Sequence, residues 1–270
     1  MRENLVVLSR RTHTVGASLL RISPIVTMLL LSAALPATAQ ERSLNFSIGA
    51  GVAATPEYFG SDESEAGVLL GFQFGSLKLG NVDIGNGIRG VSNNGISLNG
   101  AFRVIGDRTA AESPELAGLD DIEAALELGF GVKMQQTNWM AFGEVRKGVA
   151  GHSAVTGTLG ADLILRPTDK WRITAGPRVS FGDDEFAQTY FGVPTGSGSS
   201  FGAFDASGGA LGAGVQVTGT YFIDDKWALE GAVSYEKLLG DAADSPITLN
   251  GSEDQWRMSV GVSRMFTLNF

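Results

Sequence analysis

The sequence predicts an all-β fold: a transmembrane, antiparallel, up-and-down β-barrel of about 12 strands, or about 10 if one short pair is omitted, with both termini periplasmic. Three observations predict it. Apolar residues alternate with period two along most of the chain after residue 40, the mark of strands with one apolar face. The opposite face is rich in Gly, Ser, Thr and isolated charges; it suits a narrow polar lumen, because membrane barrels carry their apolar band outside. The chain also ends on an amphipathic segment whose last residue is Phe270.

Residues 1–39 read as a secretory signal peptide. Arg2, Arg10, Arg11 and Arg21 form a basic region, an apolar stretch runs from Pro24 to Leu35, and Ala37-Thr38-Ala39 is an A-x-A cleavage pattern. The apolar stretch is too short for a membrane-spanning helix, which needs about 20 residues. Cleavage after Ala39 leaves the barrel domain, residues 40–270. It removes four of 20 basic residues and one of 29 acidic ones, so the net charge moves from −9 to −12.

Strands are expected at 44–55, 65–75, 96–106, 122–134, 139–149, 154–166, 171–182, 210–222, 227–239 and 255–270. A short pair within 76–91, around Gly85-Asn86-Gly87, brings the count to about 12, an even number as in bacterial single-chain barrels. The alternation is cleanest from Ile122 to Met134, where Leu126, Leu128, Phe130 and Val132 oppose Glu127, Gly129, Gly131 and Lys133. Pro177 donates no ladder hydrogen bond, which predicts a bulge there. Three short polar turns, at 135–138, 167–170 and 223–226, each lead into a tryptophan. Trp139, Trp171 and Trp227, with Trp256, are read as an interface girdle.

In the last strand Phe266, Leu268 and Phe270 share the apolar face and read as the signal for the barrel-assembly machinery. Arg264 falls on that same face, inside the apolar band, where either a bulge turns it inward or it snorkels. The longer loops, 56–64, 106–121, 183–209 and 240–253, then face outward.

Composition narrows the function. With 37 Gly in 270 residues the chain is not a helix-rich enzyme. Its acidity excludes a nucleic-acid partner. Zero Cys removes disulfides, thiolate metal sites and a Cys nucleophile. His152-Ser153 is not a catalytic pair, since neighbours on a strand point to opposite faces. Asp183-Asp184-Glu185, Asp241 with Asp244, and Glu253-Asp254 read as solvated loop charges, with bridging to lipopolysaccharide through divalent ions as the other reading. No catalytic, cofactor or metal residue is expected.

The loops carry four strings that resemble the MipA/OmpV family, the MltA-interacting scaffold proteins of the outer membrane. They are Tyr58-Phe59-Gly60-Ser61, Leu116-Ala117-Gly118-Leu119-Asp120-Asp121-Ile122, Ala187-Gln188-Thr189-Tyr190-Phe191-Gly192-Val193, and Leu239-Gly240-Asp241-Ala242-Ala243-Asp244-Ser245-Pro246-Ile247. The resemblance implies a Gram-negative outer-membrane barrel in contact with lipid and lipopolysaccharide. It also implies a scaffold that bridges a lytic transglycosylase and a peptidoglycan synthase. Two other classes stay open: a narrow solute-diffusion pore, from the polar lumen face, and a surface adhesin or receptor, from the long loops.

Overall fold

The computed structural model describes residues 42–80, 82–85 and 94–270. The leader with its cleavage point lies outside the described residues, as do Asn86 and Gly87 of the expected turn. Ten long strands and one short one form a single antiparallel sheet: β1 (Arg42–Pro56), β2 (Ser64–Leu79), β3 (Val82–Ile84), β4 (Gly95–Ile105), β5 (Ala125–Gln135), β6 (Trp139–Ala150), β7 (Val155–Thr168), β8 (Trp171–Gly182), β9 (Gly209–Phe222), β10 (Trp227–Leu238) and β11 (Asp254–Asn269). Every long strand lies within three residues of its expected bounds except β2, which runs on to Leu79. That extension absorbs half of the expected short pair, so the ten-strand count is the one found, with β3 as a remnant pairing only Leu77–Leu79.

The sheet order is β3-β2-β1-β11-β10-β9-β8-β7-β6-β5-β4. The first and last long strands therefore pair, Phe46 opposite Phe266 and Val52 opposite Val260. The sheet curls until β2 and β4 meet across the remaining seam. Arg42, Phe270 and the short turns lie at one end of the barrel; the long loops lie at the other.

Side-chain placement is inverted relative to a soluble protein. On β5, Phe130 points outward and is 69% exposed, while Glu127 points inward and is 0% exposed. Val68, Leu70, Val104, Leu163 and Val260 continue the outer apolar band. A water-soluble surface does not carry a contiguous apolar belt of this size; a bilayer requires one. No helix among the described residues is long and apolar enough to cross a membrane.

Two local expectations are corrected. No bulge occurs at Pro177: β7 and β8 keep one register on both sides of it, Gly160 with Arg178 and Leu163 with Ala175. The ladder lapses only on the β7 side, and the Ala161 carbonyl accepts instead from Arg178 Nη1 at 3.4 Å. Next to it, a Cβ on Gly176 would lie 1.7 Å from the same carbonyl oxygen, so only glycine permits the close approach. Arg264 does face outward, yet it is not deep in the apolar band. Because β11 runs past the start of β10, Arg264 pairs with Trp227 at the strand end. Its guanidinium stacks on Trp227 and Phe266, 5.4 and 5.0 Å from the ring centroids, and a cation–π contact there offsets much of its desolvation.

Candidate functional site

The buried apolar core of this protein lies in its outer loops. The four strings singled out in the sequence, far apart in the chain, meet over the outer mouth of the barrel. Tyr58 packs with Leu116, Leu119, Val193 and Ile247, so one cluster draws on all four. Its hydroxyl donates to Glu115 at 2.9 Å. The Phe59 ring lies 5.1 to 5.9 Å from those of Phe186, Tyr190 and Phe191. Gly60 has φ +93°, and a Cβ there would lie 2.6 Å from Thr248 Oγ1. Gln255 clamps this turn, accepting from Gly60 N at 3.3 Å and donating to the Ser61 carbonyl at 3.1 Å.

The third string sits on a helix, α1 (Asp184–Phe191), inside what the sequence presents as the longest loop. Asp183 caps it by accepting from Phe186 N at 2.9 Å, and Asp184 and Glu185 occupy the positive end of the helix. Its buried face carries Phe186, Ala187, Tyr190 and Phe191. Past Gly192 the backbone turns extended, and Val193 bridges Phe204. The fourth string forms α2 (Asp241–Asp244) and α3 (Pro246–Asn250). Gly240 enters α2, Ala242 is fully buried, and Ala243 packs on the aromatic cluster. Ser245, fully buried, donates to the Phe191 carbonyl at 2.6 Å and accepts from Ile247 N at 3.2 Å, with Pro246 opening the helix.

The assembly is a plug. It packs against Ile105, Ala125, Leu211 and Leu238 at the outer ends of β4, β5, β9 and β10, and so spans the mouth from wall to wall. Four of the seven acidic loop residues expected to be solvated act as its clasps, each accepting a backbone N–H group from another segment. Asp183 holds Val155 N at 2.7 Å, Asp184 holds Gly208 N at 2.8 Å, Glu185 holds Ser153 N at 3.1 Å and Asp241 holds Ser207 N at 2.8 Å. Burial pushes the Tyr190 hydroxyl up to about 12. Tyr58 is raised too, by burial and then by the adjacent Glu115.

Beneath the plug the lumen holds a charged network. Glu127 receives Arg103 through Nε and Nη2 at 2.7 and 2.6 Å, Arg146 Nε at 3.2 Å and Thr156 Oγ1 at 3.0 Å. Arg146 continues to Glu144 at 3.1 Å and Thr158 at 2.8 Å. Arg178 pairs with Asp162, and Arg257 with Glu236. Ser180 donates to Glu236. Between network and plug lies a cavity of about 520 Å³.

Glu127 and Lys133 point into the lumen as the alternation implies. Glu123 precedes β5 and is exposed, so it does not share their face. His152 Nε2 lies 3.5 Å from Glu127, whereas the Ser153 hydroxyl binds Glu185 at 2.7 Å, so the two neighbours point apart. Among the described residues, no group of three or more His, Cys, Asp or Glu could hold a metal ion.

Trp139, Trp171 and Trp227 face outward at the starts of β6, β8 and β10, at the short-turn end, with the Trp171 ring 5.1 Å from that of Tyr221. Trp256 stands at the opposite end, beside Tyr235 at 5.0 Å. The four tryptophans thus mark two levels, not one. Phe266 stacks on Phe46 at 5.4 Å, and Leu268 and Phe270 are exposed beyond it.

The partners of Glu127 were not read from the sequence, though one signal existed. Arg103 and Glu127 stand directly opposite each other on paired strands, and the hairpin could have been registered from its alternation. No comparable signal linked the four strings to one another.

An outward apolar belt, a polar charged lumen and a mouth closed by its own loops define a transmembrane β-barrel of the outer-membrane type. The chain belongs to the MipA family, described as MltA-interacting protein MipA, whose profile matches residues 48–266. No curated protein matches the sequence. Among solved structures, it is similar to an outer membrane channel from Pseudomonas putida F1, at 12% identity and a TM-score of 0.41, over 86% of this chain and 100% of that one. It is also similar to the outer membrane protein OprG from Pseudomonas aeruginosa, at 13% identity and a TM-score of 0.26, over 83% of this chain and 97% of that one. The outer membrane protease OmpT from Escherichia coli aligns at 9% identity and a TM-score of 0.33, over 87% of this chain and 99% of that one.

Proposed function

We propose that this protein is a non-enzymatic barrel of the Gram-negative outer membrane, exported by cleavage after Ala39. In this reading it serves as a scaffold for peptidoglycan-remodelling enzymes, a lytic transglycosylase and a peptidoglycan synthase, on its periplasmic face. The observation that carries the reading is the plug. The strings shared with the family are spent on closing the outer mouth, which counts against both an open diffusion pore and a loop-borne adhesin. The family description, an MltA-interacting protein, supports a protein partner.

The periplasmic turns are short, and a stable interface buries about 800 Å² per partner, so several turns must act together. Asp169, Lys170, Asp224, Asp225 and Lys226 supply a charged rim. Asp224 also accepts from Lys226 N and Trp227 N at 2.7 and 2.9 Å; asparagine keeps that acceptor while removing the charge. Exposed ion pairs contribute about 0–1 kcal/mol each, which makes the contact salt-sensitive. The test is crosslinking pull-down of wall enzymes from cells carrying Asp169→Asn, Asp224→Asn and Asp225→Asn together. Capture falls while barrel levels hold. Unchanged capture, or a wild type that captures no wall enzyme but conducts in planar bilayers, overturns the scaffold in favour of the pore.

A further inference from the structure

The cavity beneath the plug is chemically polarised. Its inner wall carries Arg103 and Arg257, about a third exposed and incompletely used: Arg103 gives Nε and Nη2 to Glu127, and Arg257 gives Nη1 to Glu236. Beside Arg103 lies Tyr190, 3% exposed, whose hydroxyl has no hydrogen-bond partner among the described residues. A buried hydroxyl without a partner costs about 1–3 kcal/mol, and a ligand oxygen would relieve that cost.

The other pole is acidic. Glu65 on β2 and Asp107 just past β4 line the cavity with Glu57, and the charged neighbours of Glu65 are Glu57, Glu112 and Asp107, all of one sign. The rings of Phe59 and Phe186 also line the cavity, each beneath an arginine: Arg257 at 6.0 Å and Arg103 at 5.2 Å from the centroids.

The separation of the poles sets the length of the ligand. The Glu65 carboxylate lies 3.9 Å from where a Gly106 Cβ would sit. Gly106, just past β4, is three residues along the chain from Arg103, a backbone separation of about 10 Å at roughly 3.4 Å per residue that scales the gap between the poles. A free amino acid carries both charges on one carbon and cannot reach both poles. An extended chain of two or three residues can, at about 3.3–3.6 Å per residue. The volume also falls within the range of about 300–1,000 Å³ usual for small-ligand pockets.

We propose that this cavity binds a short zwitterionic peptide of two or three residues. Its carboxylate meets Arg103, Arg257 and Tyr190, its ammonium meets Glu65 with Glu57 and Asp107, and an apolar or aromatic side chain lies against Phe59 and Phe186. The site is independent of whether the periplasmic turns dock an enzyme.

The experiment is titration calorimetry of the purified full barrel in detergent. The probes are alanyl-phenylalanyl-alanine, its N-acetylated form and its C-amidated form. One charge-assisted hydrogen bond separates affinities by about tenfold or more, so the free tripeptide binds at least that much tighter than either blocked form. Glu65 is exposed at a strand end, so Glu65→Gln leaves packing intact; it reduces the preference for the free amine and keeps the preference for the free carboxylate. Tyr190→Phe weakens the free and N-acetylated peptides but not the amide. Equal affinity for the three probes, no binding of the free tripeptide, or an amine preference undiminished by Glu65→Gln overturns the proposal.

Discussion

Phe191→Ala is expected to unseat the plug without unfolding the barrel. Phe191 is the largest fully buried side chain, it packs against Phe59, and its carbonyl accepts the Ser245 hydroxyl. Truncating a buried phenylalanine costs about 3–5 kcal/mol. The β-ladders make no use of this side chain, so the loss falls on the local closed–open equilibrium of the loops. At about 1.4 kcal/mol per tenfold, the open population rises by about 140- to 3,700-fold. The chain has no cysteine, so Ala206→Cys, at a buried position within the plug cluster, provides a clean reporter. In that background, maleimide labelling on intact cells accelerates with Phe191→Ala, and planar-bilayer recordings gain conductance. Leu249→Ala, at a position 72% exposed, leaves both unchanged. If Phe191→Ala labels and conducts like Leu249→Ala, the loops do not form a closed, cooperative plug and the reasoning fails.

Three further outcomes follow from the same structure. Glu127→Ala leaves Arg103 and Arg146 without their shared carboxylate, which costs about 3–5 kcal/mol for a broken buried pair; the temperature at which the folded band shifts in gel electrophoresis falls, and an unchanged temperature refutes the network as a stabiliser. Raised hydroxyl pKa values at Tyr190 and Tyr58 mean that the plugged state keeps protons the open state loses. Plug stability is therefore complete below about pH 10, the ordinary tyrosine value, and declines as pH rises toward about 12; near-ultraviolet circular dichroism that stays constant over that window contradicts it. Phe270→Ala lowers barrel insertion but not export, measured as protein shifting from the outer-membrane fraction to the periplasm; normal membrane levels show that the terminal residue is not used.

What the sequence determined by itself is the barrel wall. Alternation such as Leu126 to Val132 against Glu127 to Gly131 is a local signal, because successive strand side chains point to opposite faces. A hairpin can be registered by its own turn, as β9 and β10 are from Phe222 opposite Ala228 to Gly212 opposite Leu238. The tertiary structure decided what depends on contacts between remote segments. Arg264 left the apolar band because the stagger of β11 against β10 sets its height, and no single strand encodes a stagger. Pro177 needed no bulge because the arginine beside it satisfies the carbonyl that proline leaves. The plug was illegible for the same reason on a larger scale. Ser245 reaches Phe191 across 54 residues and Gly60 meets Gln255 across 195. The face of α1 that carries Tyr190 and Phe191 is buried largely by other loops, so the segment has no periodic partner in its own neighbourhood. The family strings marked which loop residues matter. Only their meeting over the mouth shows that they are the core of this protein.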